Sequence, residues 1–258
     1  MEKQLWEACY EGDIEKAQQI LTLPNININW KDSESSRTPF YIACQEGEIE
    51  IVEVLLNDHR IDVNKANNLG QTSFYIACIN QHIEVVKLLL KNEGIDINQA
   101  NNYGWTPFYK ACQNGYIEIV KLLLNDNRID VNKVNLRGEA PFYVLCYSGQ
   151  VEIVQLLLND KRVDVNKAAD GVTPFYLSCL RGYIEIVKLL LNDQTVDINK
   201  ANKRNETPFH IACLKGHADI VKLLLNDERI DLNKAQNEGA TPFYVACQEG
   251  HLELLRFY

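Results

Sequence analysis

Cysteine and proline recur along this chain at a nearly constant spacing of 34 residues. The eight cysteines run from Cys9 to Cys247 in steps of 33 to 35 residues. Six of the seven prolines follow the same step, and Ser73 stands where the series skips one member. A fixed period of this length predicts a repeat architecture, in which each unit packs against its neighbours. The spacing therefore predicts eight repeats, although a length of 258 residues alone would suggest one or two ordinary domains.

Each interior repeat carries the signals of a first short helix. In the fourth repeat, Thr106 is a good N-cap residue, and Pro107 follows at the first helical position, where it breaks no hydrogen bond. Apolar residues within 108–112 fall at i, i+3 and i+4, on one face of that helix. Gly115 is suited to end the helix because glycine adopts positive φ readily.

A second helix and an extended turn complete the repeat. Residues 117–124 carry an apolar stripe, formed by Ile117, Val120, Leu123 and Leu124. Glu118 and Lys121 are three residues apart and are expected to pair on the exposed side. The segment 130–138 is rich in Asn and Gly and predicts a turn that leads into the next repeat.

These motifs resemble the ankyrin repeat. They read Thr-Pro-Phe-(Tyr/His)-x-(Ala/Ser)-Cys, then Gly with Ile-Glu-Ile-Val-Lys-Leu-Leu-Leu, then Asp-(Val/Ile)-Asn, and 207–213 is the copy most similar to the family's opening motif. The resemblance implies an all-α fold, an ankyrin-repeat α-solenoid of helix-turn-helix units with protruding β-turn or hairpin loops. We expect one domain over 1–258, with units 1–29, 30–64, 65–98, 99–132, 133–166, 167–199, 200–233 and 234–258.

The chain departs from the family pattern at two recurring positions. Where the family has a helix-ending glycine, four repeats carry arginine, at Arg60, Arg128, Arg162 and Arg229. We expect these arginines to pair with nearby acids such as Asp62 and Asp130; a ladder that binds anions is the alternative. Tyrosine replaces the family's histidine in six repeats, from Tyr41 to Tyr244, and we expect its hydroxyl to reach polar partners.

Two local expectations concern stability. Ala140 stands where other repeats have the capping threonine, so its helix should lack a side-chain cap, and Leu145 replaces a smaller residue in the same helix. Near the end of the sequence, Leu252, Leu255 and Phe257 are expected to be exposed.

Composition and motifs argue against several functional classes. A net charge of −9 disfavours nucleic-acid binding, which requires a basic surface, and no apolar run is long enough to span a bilayer. The sequence carries no motif for hydrolytic, nucleotide-binding or metal-dependent catalysis, so we expect neither enzymatic activity nor a cofactor. The periodic cysteines predict buried, reduced thiols, and the chain is interpreted as cytoplasmic.

Three functions remain open. The resemblance implies a scaffold that binds another protein or peptide on its concave or turn face. Alternatively, the chain is the ankyrin segment of a larger channel, kinase or effector whose activity lies beyond Tyr258. A third alternative is a small phosphorylated ligand, held by the turns.

Specificity is expected at outward-facing positions that differ between repeats. Aromatic and basic residues concentrate at such positions in the middle of the chain, which suggests an acidic or phosphorylated partner segment anchored by Trp105 and Tyr147. The alternative is that turns tolerate any residue. The predicted binding residues are Tyr103, Trp105, Leu136, Arg137, Tyr147, Arg181, Lys203, Arg204 and Lys215.

Overall fold

The computed structural model of the chain describes residues 1–256. Within this range the regular secondary structure consists of fifteen α-helices of seven to ten residues and one 3-10 helix. A single β-bridge, between Ala169 and Val172, lies in a turn.

The chain forms two compact units, Met1–Asn135 and Leu136–Tyr258. The helices of the first unit are α1 (Glu2–Glu11), α2 (Ile14–Leu21), α3 (Pro39–Glu46), α4 (Ile49–Leu56), α5 (Ser73–Ile79), α6 (Ile83–Leu90), α7 (Pro107–Asn114) and α8 (Ile117–Leu124). Those of the second are α9 (Pro141–Ser148), α10 (Val151–Leu158), α11 (Pro174–Arg181), α12 (Ile184–Asn192), α13 (Pro208–Lys215), α14 (Ala218–Leu225) and α15 (Pro242–Gln248), followed by the 3-10 helix Leu254–Arg256.

Within each compact unit the helices stack in two layers. The first helices of successive repeats pack on one another, α1 through α7 in one unit and α9 through α15 in the other. The second helices form the other layer in the same order, and each also packs against its own first helix. The predicted all-α architecture of stacked helix pairs is therefore confirmed, whereas the single domain over 1–258 stays a prediction.

Local signals determine where the first helices begin and end. The Thr106 side chain accepts a hydrogen bond from the Tyr109 backbone N–H at 3.0 Å, and Gly115 ends α7 at φ 76°. Ala140 precedes α9 and provides no side-chain cap, as the sequence predicted. Leu145 is accommodated in the core with no exposed surface.

In the second helix of the fourth repeat, the buried stripe lacks two of the four predicted residues and contains Ile119, which was not predicted. Ile119, Val120 and Leu123 are fully buried. Ile117 and Leu124 are only half-buried, because they lie at the edges of the buried face. The predicted pair of Glu118 and Lys121 is confirmed, with 2.8 Å between the carboxylate and ammonium groups.

The cysteines form part of the core. Seven of the eight are buried and form no disulfide, and Cys247 is exposed. Burial raises the pKa of the Cys9 and Cys146 thiols to about 12, so both remain protonated at neutral pH.

Two further expectations concern membrane spans and the last residues. None of the described helices is both long and apolar enough to cross a membrane. Leu252 is 69% exposed, as predicted, whereas the Leu255 side chain and Phe257 lie outside the described residues.

Candidate partner-binding surfaces

Asparagine side chains connect successive turns through paired hydrogen bonds. Asn64 donates from Nδ2 to the Gly94 carbonyl at 2.7 Å, and its Oδ1 accepts from the Asp96 N–H at 2.8 Å. The same pair of bonds is formed by Asn29, Asn98, Asn166 and Asn199. Each amide thus fixes the register of one turn against the next, a role that the sequence analysis did not assign.

The recurring arginines bind an acid and the end of the preceding repeat. Arg128 Nη2 lies 2.7 Å from Asp126 Oδ2 and 2.8 Å from the carbonyl of Leu90, the last residue of α6. Equivalent contacts are formed by Arg60 with Asp58 and Leu21, and by Arg229 with Asp227 and Leu191.

The predicted pairing of arginine with a nearby acid is therefore confirmed, but the named acids, Asp62 and Asp130, were wrong. The partner of Arg128 is the aspartate two residues before it, because Asp126 also accepts a hydrogen bond from the Arg128 backbone N–H. The Arg128 hydrogen bond holds the Asp126 pKa below its usual value. Because the guanidinium donors are occupied by these contacts, an anion-binding ladder is not supported.

Four of the six tyrosines that replace histidine bind the next turn through their hydroxyl groups. The hydroxyl of Tyr75 accepts a hydrogen bond from Asn101 Nδ2 at 3.2 Å. Tyr41, Tyr109 and Tyr176 are bonded in the same way by Asn67, Asn135 and Asn202. Asn101 is buried, and its Oδ1 accepts from the backbone N–H groups of Tyr103 and Trp105, each at 3.0 Å. A buried amide therefore holds the turn that presents Tyr103 and Trp105.

The first compact unit carries a group of four side chains that we call the Trp105 cluster: Tyr103, Trp105, Lys110 and Gln113. The rings of Tyr103 and Trp105 stack with centroids 4.8 Å apart. Tyr103 is 53% exposed, and Trp105 is half-buried. The Lys110 ammonium lies 4.9 Å from the centre of the Trp105 ring, a cation–π distance, and donates to Gln113 Oε1 at 2.6 Å.

Lys110 was not among the binding residues predicted from sequence, which lie in the turns and near the ends of the first helices. The signal was present, because every other repeat from the second onward has an aliphatic residue at this position of the first helix. A lysine at a repeat position that is otherwise aliphatic is the kind of exception that indicates a local function.

The second compact unit brings together two of the other predicted residues. The Arg181 guanidinium lies 4.0 Å from the centre of the Tyr147 ring, and Tyr147 is 47% exposed. Lys203 forms an ion pair with Asp170, so its charge is partly compensated. The remaining predicted residues of this unit are exposed: Leu136, Arg137, Arg204 and Lys215.

The structure offers no metal centre in its described part. Among residues 1–256, no group of three or more His, Cys, Asp or Glu side chains is placed to hold a metal ion. The candidate sites are therefore surfaces of aromatic and charged side chains.

Comparison with known families assigns the repeats. A family model described as "Ankyrin repeats (3 copies)" matches residues 5–101, 67–135, 127–202 and 194–257. No curated protein matches the chain. Ankyrin repeats are generally protein–protein interaction modules and typically non-catalytic scaffolds. With matches that cover nearly its whole length, the chain belongs to the ankyrin repeat family.

Proposed function

We propose that this chain is a non-catalytic scaffold that binds a protein or peptide through the turns and first helices of its middle repeats. The observation that carries the proposal is the Trp105 cluster, which contains a stacked aromatic pair on the surface of the first compact unit. Tryptophan, tyrosine and arginine are the residues that most often supply the binding energy of an interface.

Preorganisation supports this surface as a binding site. Asn101 holds the turn by accepting hydrogen bonds from the backbone of Tyr103 and Trp105. Because the turn is already ordered, a partner does not have to offset the entropy of ordering it.

The distribution of positive charge in the second compact unit supports an acidic or phosphorylated partner segment. The chain has a net charge of −9, yet the second compact unit presents exposed cations at Arg137, Arg181, Arg204 and Lys215. Local positive charge on an acidic protein attracts acidic ligands to that part of the surface. In this unit, Tyr147 stacked under Arg181 is the proposed anchor.

We also propose a cytoplasmic location, because the seven buried cysteines form no disulfide. Reduced thiols in this number are typical of compartments in which disulfides do not persist.

The test is a partner isolated by affinity capture, followed by calorimetric titration of variants. Trp105→Ala or Tyr147→Ala should weaken binding by about 1–2 kcal/mol, as expected for an anchor residue. Lys188→Ala is the control, because Lys188 pairs with Glu185 on the exposed face of a second helix. If both aromatic variants bind as tightly as the wild type, the partner occupies another surface.

A further inference from the structure

One position of the first helices is aliphatic in every repeat from the second onward except the fourth. It is the fourth residue of each odd-numbered helix from α3 to α15, and most of the residues at this position lie in the core. Its occupants are Ile42, Ile76, Lys110, Val144, Leu177, Ile211 and Val245. The exception, Lys110, introduces a charge where its counterparts bury apolar surface.

The first repeat gives a useful contrast at the equivalent position. Glu7 is also charged there, but it lies 3.5 Å from the Lys3 ammonium, in an ion pair. Two lysines of the second helices in the same compact unit are likewise paired, Lys87 with Glu84 at 2.6 Å and Lys121 with Glu118 at 2.8 Å.

Lys110 lacks such a partner. Over residues 1–256, no carboxylate forms an ion pair with its ammonium, which is half-buried beside the Trp105 ring. Burial lowers the Lys110 pKa, since removal from water disfavours the charged form. Among the described residues, the acceptor for the Lys110 ammonium is the neutral amide oxygen of Gln113. An ammonium has three donors, so two remain for an incoming acceptor.

We propose that Lys110 receives a carboxylate side chain, Asp or Glu, of the bound partner, beside the Trp105 ring. The inference rests on the proposed function, because it names the chemistry that the Trp105 cluster recognises. The partner's carboxylate supplies the counter-charge that the repeat lacks, while its neighbouring groups contact Tyr103 and Trp105. A carboxylate fits better than a phosphate, because a dianionic phosphate is usually held by arginine forks or several cations and this cluster contains one lysine.

The experiment uses the full chain and follows the indole N–H signals of its three tryptophans by heteronuclear NMR, with Trp105→Phe to assign the signal of Trp105. Three peptides serve as probes: (Gly-Glu)3, its neutral isostere (Gly-Gln)3, and (Gly-phosphoserine)3. We expect (Gly-Glu)3 to shift the Trp105 signal in a saturable manner, (Gly-Gln)3 to leave it unchanged, and the phosphopeptide to bind more weakly than (Gly-Glu)3.

Two variants separate recognition from folding. Lys110→Ile restores the residue of the second and third repeats, so it should raise the melting temperature while it weakens (Gly-Glu)3 binding at least about tenfold. Lys110→Gln removes the charge but keeps a polar side chain, and it should lose binding to a similar degree. Lys87→Gln is the control on the second-helix layer and should leave binding unchanged.

Unchanged (Gly-Glu)3 binding in both Lys110 variants would overturn the inference, as would an equal response to (Gly-Gln)3 or tighter binding of the phosphopeptide. The proposed function is tested separately, with the isolated partner. If Trp105→Ala loses the isolated partner while Lys110→Ile retains it, the surface is correct and the carboxylate site is wrong.

Discussion

Arg128 joins the ends of two successive repeats, and its replacement by methionine should lower the free energy of unfolding by about 2–4 kcal/mol. The guanidinium lies 2.8 Å from the Leu90 carbonyl and 2.7 Å from Asp126 Oδ2. Leu90 ends α6, where the last carbonyls have no partner within the helix. Methionine keeps much of the side-chain length but has no donor for either group.

The magnitude follows from the two contacts. A hydrogen bond from a charged group contributes about 1.5–3 kcal/mol to stability. The ion pair with Asp126 adds about 0.5–1 kcal/mol, a small value because the Arg128 side chain is 34% exposed and solvent screens the pair. Their sum gives the expected range.

Urea denaturation at neutral pH measures the effect, with Lys87→Met as the matched control. Lys87 lies 2.6 Å from Glu84, but both side chains are exposed, so this control should change stability by less than about 0.5 kcal/mol. Arg128→Lys should fall between the two, because lysine keeps the charge without the planar fork. If Arg128→Met loses no more stability than Lys87→Met, the reasoning from these contacts is wrong.

Three further predictions concern the cap, the thiols and the acid limit of stability. Ala140→Thr should raise the protein's free energy of unfolding by about 0.5–2 kcal/mol, because threonine supplies the side-chain cap that α9 lacks. An unchanged denaturation midpoint would contradict this prediction. A thiol reagent should label one cysteine rapidly in the native protein, and Cys247→Ser should abolish that fast phase; fast reaction of several thiols would contradict the observed burial. The Arg60 hydrogen bond lowers the Asp58 pKa to about 2, so this pair stabilises the fold above the unfolded-state value of about 3.9, and the contribution is lost as pH falls toward 2. Acid titration of Arg60→Met should therefore show a smaller loss of stability between pH 4 and 2 than the wild type.

The helix pairs were predictable from sequence because their signals are local. Thr106, Pro107 and Gly115 act within one helix, through a cap, a fixed φ and a positive φ. Such signals do not depend on the neighbouring repeat, and their recurrence removes the ambiguity of a single copy.

The hydrogen bonds and ion pairs between repeats were less predictable, because proximity in sequence does not determine which way a side chain points. Asp130 is as close to Arg128 in sequence as Asp126, yet its carboxylate accepts a hydrogen bond from the Asn132 N–H. Asp126 instead folds onto the backbone and guanidinium of Arg128. The Asn64 bonds span 30 and 32 residues, a separation at which the sequence carries no geometric signal.

A departure from the repeat pattern is informative, and Ala140 and Lys110 are two departures at the first helices with different consequences. Ala140 removes a hydrogen bond and adds no functional group, so its cost to stability comes with no gain in binding. Lys110 also gives up stability, since it replaces an aliphatic side chain, but it places an ammonium beside an aromatic ring at the surface. Restoring the common residue should stabilise the protein in both cases, whereas only Lys110→Ile should weaken binding of an acidic peptide. Where a substitution raises stability but weakens binding, the original residue serves binding. Measuring both quantities for a variant therefore identifies such a position before the natural partner has been isolated.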